Sequence, residues 1–331
     1  MLLSIILLII GFVLLIKGAD WLVEGAAGVA RKLGIPELIV GLTVVSFGTS
    51  APELLVNITS GLSGQNDLAL GNIIGSNISN TLLVLGVSAC VTTLVVKKQT
   101  THKEIPFAIL SSFILFFMAN DVLFGSATTN MLSRSDGLIL LGFFSIFLYY
   151  TASFAFGDKE KDETTTHHTG LILTGMVVIG AVLLNIGGTM VVSNAVNIAT
   201  KLGISQKLIG LTLVAIGTSV PELVTSAIAA TKGKADLAIG NVVGSNIFNI
   251  AFVLAITSII TPLSFNTDLN FDLYIMIGTA MLLFFIIHNG HFIKRMLFWS
   301  KHHLQYNIVK REGVLMLLLY VAYIVSIVAR G

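Results

Sequence analysis

The sequence predicts an all-α polytopic membrane protein, ten transmembrane helices arranged as two inverted-topology five-helix repeats. Three observations predict it. The 331 residues are 55% hydrophobic and 11% charged, with a mean hydropathy of +0.92, a balance outside that of soluble globular domains. Apolar runs long enough to cross a hydrocarbon core of about 30 Å recur along the whole chain, with short connections between them. The chain also matches itself at a constant offset of 169 residues. Leu33-Gly34-Ile35 falls on Leu202-Gly203-Ile204, and 21 of the 40 positions in 41–80 are identical to those in 210–249.

The spans are expected at roughly 2–26, 36–61, 67–95, 105–120, 135–155, 170–198, 205–230, 235–261, 271–289 and 312–329. Residues 1–16 have the length of a signal peptide, but they lack a basic leader and have a counterpart in the sixth span, so they are read as membrane helix. Residues 1–156 then form the first five-helix repeat, 157–169 a hydrophilic linker and 170–331 the second repeat, as one structural unit. Five spans per repeat force the second copy into the membrane from the opposite side. On that topology fourteen of the 19 basic residues fall on one face, among them Arg31, Lys32, Lys232, Lys234, Lys310 and Arg311. Four fall on the other: Arg134, Lys201, Lys207 and Arg330. The positive-inside rule makes the first face and the linker cytoplasmic and puts both termini of a multi-pass cell-membrane protein outside.

Composition removes several classes of function. The single Cys90 allows no internal disulfide and no thiolate zinc site. A net charge of +2 gives no reason to expect nucleic acid, and no obligatory protein partner is evident. His-Glu-x-x-His and Gly-x-Ser-x-Gly are absent, so nothing marks an enzyme. The pair His167-His168 sits in the charged linker without further ligands at useful spacing.

What remains is acidic and amide chemistry inside apolar spans. A carboxylate at mid-membrane costs roughly 2.5–3.5 kcal/mol even on lenient scales, so it needs partners or an ion. Glu53 and Glu222 are two such residues at equivalent positions of the repeats. Each follows a proline, Pro52 or Pro221, which removes a backbone donor and frees the carbonyl of Gly48 or Gly217. The turn Gly-Thr-Ser-x-Pro-Glu thus gathers carbonyls, a hydroxyl and a carboxylate, the hard oxygen donors that suit sodium and calcium. A buried structural pair of glutamates is the alternative. The third and eighth spans repeat Gly-Asn-x-x-Gly-Ser-Asn-Ile-x-Asn at 71–80 and 240–249. Helical spacing puts Ser76 beside Asn72 and Asn80, and Ser245 beside Asn241 and Asn249. Close packing through Gly71, Gly75, Gly240 and Gly244 would explain the same pattern. Asp67 and Asp236 are expected as helix N-caps, and Lys17, Asp20 and Glu24 as an interfacial cluster.

With these motifs the chain resembles the cation/calcium exchanger superfamily, and within it sodium/calcium exchangers of the prokaryotic type with two alpha repeats. The resemblance covers nearly the whole chain. It implies antiport of sodium against calcium by alternating access, the first and sixth helices sliding across the other eight, with the transported ions as substrates and no cofactor. It also implies that Glu53 and Glu222 bind calcium with the carbonyls of Thr49 and Thr218. Sodium would add Ser50, Ser76, Ser219, Ser245 and the carbonyls of Ser46 and Ala215. Asn80 and Asn249 stand where some relatives carry aspartate, leaving two acidic groups rather than three. Gly75 and Gly244 stand where proton-coupled relatives tend to carry a glutamate, which favours sodium. A proton- or potassium-coupled calcium exchanger is the alternative, and a channel or a non-transporting cation-binding protein belongs to a different class.

Overall fold

A computed structural model describes residues 1–96, 100–125, 128–157, 169–203, 217–297 and 306–330. Its helices are α1 (Leu2–Leu33), α2 (Glu37–Thr49), α3 (Ala51–Leu62), α4 (Asn66–Val91), α5 (Ile105–Ala119) and α6 (Arg134–Gly157). They continue as α7 (Gly170–Lys201), α8 (Val220–Thr231), α9 (Ala235–Ile260), α10 (Asn270–Leu297) and α11 (Lys310–Arg330). Among the described residues eight helices are long and apolar enough to cross a membrane, and α2 with α3 makes a ninth crossing, bent by 46°. The first part of the expected seventh span (205–216), residues 158–168 of the linker with His167-His168, and Lys97 and Lys98 lie outside the described residues.

Two expectations about helix ends are corrected. α1 and α7 outrun the hydropathic spans, each with 32 residues, or about 48 Å at 1.5 Å per residue. No proline stands between residues 27 and 33, and α1 stops only where Gly34 turns left-handed at φ 66°. Pro52, expected as a kink inside one helix, instead lies in the first turn of α3 after a break at Ser50, a position whose N–H has no intrahelical role. Pro221 does the same for α8.

α4 and α9 form the centre. Of their apolar windows 78% is buried, against 28% for α1 and 22% for α7. Leu70, Ile73, Ile74 and Ile78 of α4 share one apolar core with Val242, Val243 and Ile247 of α9. Gly240 and Gly244 do pack closely: a Cβ on Gly244 would lie 2.6 Å from the Leu42 carbonyl oxygen. Gly71 and Gly75 have no described atom within 4 Å of such a carbon, so packing through them is not seen. Each central helix widens into a π-turn at an equivalent asparagine, Asn80–Val84 and Asn249–Leu254, and α2 does so at Gly41–Val45. Such turns break the regular ladder of backbone bonds, and they concentrate at functional sites.

α1 and α7 run antiparallel, in contact along their length. Small residues let the backbones meet: a Cβ on Gly18 would lie 2.8 Å from the Gly180 carbonyl oxygen, and one on Gly187 2.8 Å from that of Gly11. Two short antiparallel ribbons join the halves. β1 (Leu94–Val96) and β2 (Met131–Leu132) of the first half pair with β4 (Tyr306–Ile308) and β3 (Leu263–Ser264) of the second, as β1–β4 and β2–β3. Asp67 and Asp236 are not caps. Gln65 and Lys234 occupy those positions without side-chain bonds. The aspartates sit in the first turn, where the helix dipole favours an anion.

Candidate ion site

The two broken turns bring the acidic residues to the centre of the bundle. Glu53 and Glu222 are fully buried, each in the first turn of its helix, α3 or α8. Each leans on hydroxyls. Ser50 Oγ donates to Glu222 Oε1 at 3.0 Å, so the first half holds the carboxylate of the second. Ser76 Oγ lies 3.4 Å from Glu53 Oε1 and 3.3 Å from Thr218 Oγ1. Oε2 of both glutamates, and Ser219 Oγ, are buried with no hydrogen-bond partner among the described residues.

Around this centre the 169-residue offset becomes a geometric relation. Thr49 Oγ1 donates to Asn241 Oδ1 at 3.1 Å, and Thr218 Oγ1 to Asn72 Oδ1 at 3.3 Å. Thr49 Oγ1 also lies 3.5 Å from Ser245 Oγ, the counterpart of the Ser76–Thr218 contact. Asn241 Nδ2 is held by Ser226 Oγ at 3.0 Å, which aims its Oδ1 at Thr49. The carbonyl of Ser46 already accepts from Ser50 N at 2.9 Å, with Thr49 Oγ1 3.3 Å away. Its hydroxyl bonds the carbonyls of Gly41, at 2.7 Å, and Asn241, at 3.0 Å. Ala215 lies outside the described residues.

The asparagines divide. Asn249 Nδ2 donates to Asn77 Oδ1 at 3.1 Å, leaving its Oδ1 without a described partner. Asn80, fully buried, has no described partner for either amide atom. An unbonded buried amide costs roughly 1–3 kcal/mol. Sequence reasoning passed over Asn77 and Asn246, which knit α4 to α9. Asn77 Nδ2 reaches the Asn246 carbonyl at 3.3 Å, and Asn246 Nδ2 reaches Thr81 Oγ1 at 3.0 Å. Both lie inside the repeated motif, so the signal was present.

The Asp20–Glu24 cluster pairs across helices. Lys232 Nζ, just past α8, lies 2.6 Å from Asp20 Oδ1 and 3.7 Å from Glu24 Oε2. Beside it Lys234, near Glu37 at 3.8 Å, has its ammonium pKa pushed down by burial, an effect Glu37 partly offsets. Asp20 and Glu24 are more than a third exposed, so the pair is screened. Lys232→Ala is expected to change stability by no more than about 1 kcal/mol. Thermal unfolding at low and high ionic strength checks this, and a loss that persists in high salt would contradict it.

Buried carboxylates, hydroxyls and amides between two halves of an apolar helical bundle have the chemistry of a hard-cation site in a membrane protein. A sequence model of the sodium/calcium exchanger protein family matches residues 3–152 and 172–329. Sodium/calcium exchanger MaX1 of Methanosarcina acetivorans is 30% identical, over 97% of each chain. Inner membrane protein YrbG of Escherichia coli is 38% identical, over 85% of this chain and 89% of its own. The sodium-calcium exchanger NCX_Mj, soaked with 10 mM Na+ and zero Ca2+, superimposes with a TM-score of 0.81 at 31% identity, over 98% of this chain and 99% of that one. The chain belongs to the sodium/calcium exchanger protein family.

Proposed function

We propose that the chain exchanges sodium for calcium by alternating access at the site centred on Glu53 and Glu222. The observation that carries this reading is the pair of fully buried carboxylates, each with one oxygen bonded by a hydroxyl and the other without a described partner. Calcium takes these carboxylates with the carbonyls of Thr49 and Thr218. That makes six oxygens at most, the low end of its usual 6–8. Sodium ions use Ser50, Ser76, Ser219, Ser245 and the carbonyls of Ser46 and Ala215, with Asn80 and Asn249 at the edge. Competition follows, because the two sets share the glutamates.

The halves act as inverted five-helix repeats of a ten-span bundle, residues 1–156 and 170–331, joined by 157–169. The antiparallel course of α1 and α7, at matching places in the two halves, supports this. The charge asymmetry favours a cell-membrane orientation with both termini extracytoplasmic. Two ionised carboxylates without cations would be costly to move through a dehydrated passage, which opposes crossing by the unloaded site.

Calcium uptake into sealed vesicles loaded with sodium, choline or potassium, at equal pH on both sides, tests the reading. Uptake is expected only with internal sodium. Uptake indifferent to sodium but driven by an imposed proton gradient would replace it with cation/proton exchange.

A further inference from the structure

α1 and α7 are packed chiefly on each other, and few polar side chains tie them to the rest of the described bundle. Lys232 with Asp20 and Glu24, and Arg31 with Glu37 at 3.9 Å, do so near one end. At mid-depth the tie is Asn185 of α7. Its Nδ2 donates to the Gly48 carbonyl at 3.0 Å and to the Ala181 carbonyl, one turn back in its own helix, at 2.8 Å. The Gly48 carbonyl lies in the last turn of α2, where the break at Ser50 leaves carbonyls without a partner in their own helix. Asn185 therefore supplies from another helix the donor that the break took away, at the residue next to Thr49. It also lines a cavity of about 180 Å³ beside Pro52, Val56, Thr218 and Pro221.

Among the described residues the second half shows no mirror of this bond. An offset of 169 residues carries Asn185 onto Ile16, which has no amide to offer the carbonyl of Gly217. The tie therefore exists in one half of a duplicated machine.

We propose that Asn185 is a positioning residue that fastens α7 to the ion-binding turn and biases the exchanger toward the conformation in which the cavity beside Thr218 is open. It acts through the Gly48 carbonyl and not on the ion. When α7 slides, this bond is given up and no equivalent one forms on the α1 side. The proposal rests on the alternating-access reading. A neutral hydrogen bond of this kind shifts such an equilibrium by a factor of roughly 2–10.

The test uses two reporter cysteines at equivalent positions, Val56→Cys beside the open cavity and Thr225→Cys on the mirrored side, each in a Cys90→Ser background. The protein is held in lipid nanodiscs, where a methanethiosulfonate reagent reaches both faces. Asn185→Leu is expected to lower the ratio of the Val56→Cys rate to the Thr225→Cys rate by about two- to tenfold. Ile16→Asn, which keeps Asn185 and adds the mirror donor, is expected to lower the same ratio. General loosening of the fold would raise both rates without this directed shift. A ratio within twofold of the parent for Asn185→Leu, or a higher one, overturns the proposal. Sodium-driven calcium uptake by the parent protein tests the exchange function separately, so failure of the tie and failure of the function are distinguishable.

Discussion

Glu53→Gln and Glu222→Gln are each expected to abolish sodium-driven calcium uptake while leaving the protein folded. Glutamine keeps the volume of glutamate and an oxygen that accepts from Ser50 or Ser76, whose hydroxyls lie 3.0 Å and 3.4 Å from the present carboxylates. The buried scaffold therefore loses little. The ion loses half of the negative charge that draws it out of water. Removing one member of a buried charge pair costs about 3–5 kcal/mol, which at 1.4 kcal/mol per tenfold is a loss of roughly 10²–10⁴ in calcium affinity. Thermal unfolding gives an independent readout. Calcium at 100 times its Kd should stabilise the parent by about 2.7 kcal/mol, and neither variant should respond to it. Retention of uptake and of calcium stabilisation in both variants would remove the glutamates from the site.

Gly180→Leu is expected to be the most damaging substitution on the peripheral pair. A Cβ there would lie 2.6 Å from the Leu22 amide nitrogen and 2.8 Å from the Gly18 carbonyl oxygen, both backbone atoms that no rotamer change can move away. Overpacking of this kind costs typically 1–3 kcal/mol and sometimes more, and α7 would be pushed off α1 along their shared length. A lower melting temperature and at least about a tenfold loss of uptake should follow. Gly175→Leu on the same helix meets open space among the described residues and should stay within about twofold of the parent. Equal effects of the two substitutions would show that the close α1–α7 contact is unimportant.

Much of this was legible in the residues because duplication writes each message twice. The offset of 169 fixed which glutamates, hydroxyls and amides belong together, and the geometry pairs Thr49 with Asn241 as it pairs Thr218 with Asn72. Hydropathy located most of the spans, because mid-membrane segments must be apolar whatever they pack against. It could not locate helix ends beyond the lipid: Arg31 and Lys32 read as loop, yet they complete the last turn of α1, where cations suit the dipole. The π-turns at Asn80 and Asn249 were invisible, since one extra residue in a turn changes no composition. Gly11, Gly18 and Gly25 recur every seven residues, a signal for close helix approach whose partner only the antiparallel register of α7 identifies. Asn185 could not be read at all, because its importance depends on a carbonyl 137 residues away.

The small β1–β4 ribbon has a consequence for how the molecule comes into being. Val96 of the first half pairs with Tyr306 of the second, about 210 residues later in the chain. At roughly 5–20 residues per second of synthesis the earlier strand waits on the order of 10–40 s for its partner. Throughout that interval β1 lacks the partner it has in the finished fold. The pairing can form only once nearly the whole chain has been made.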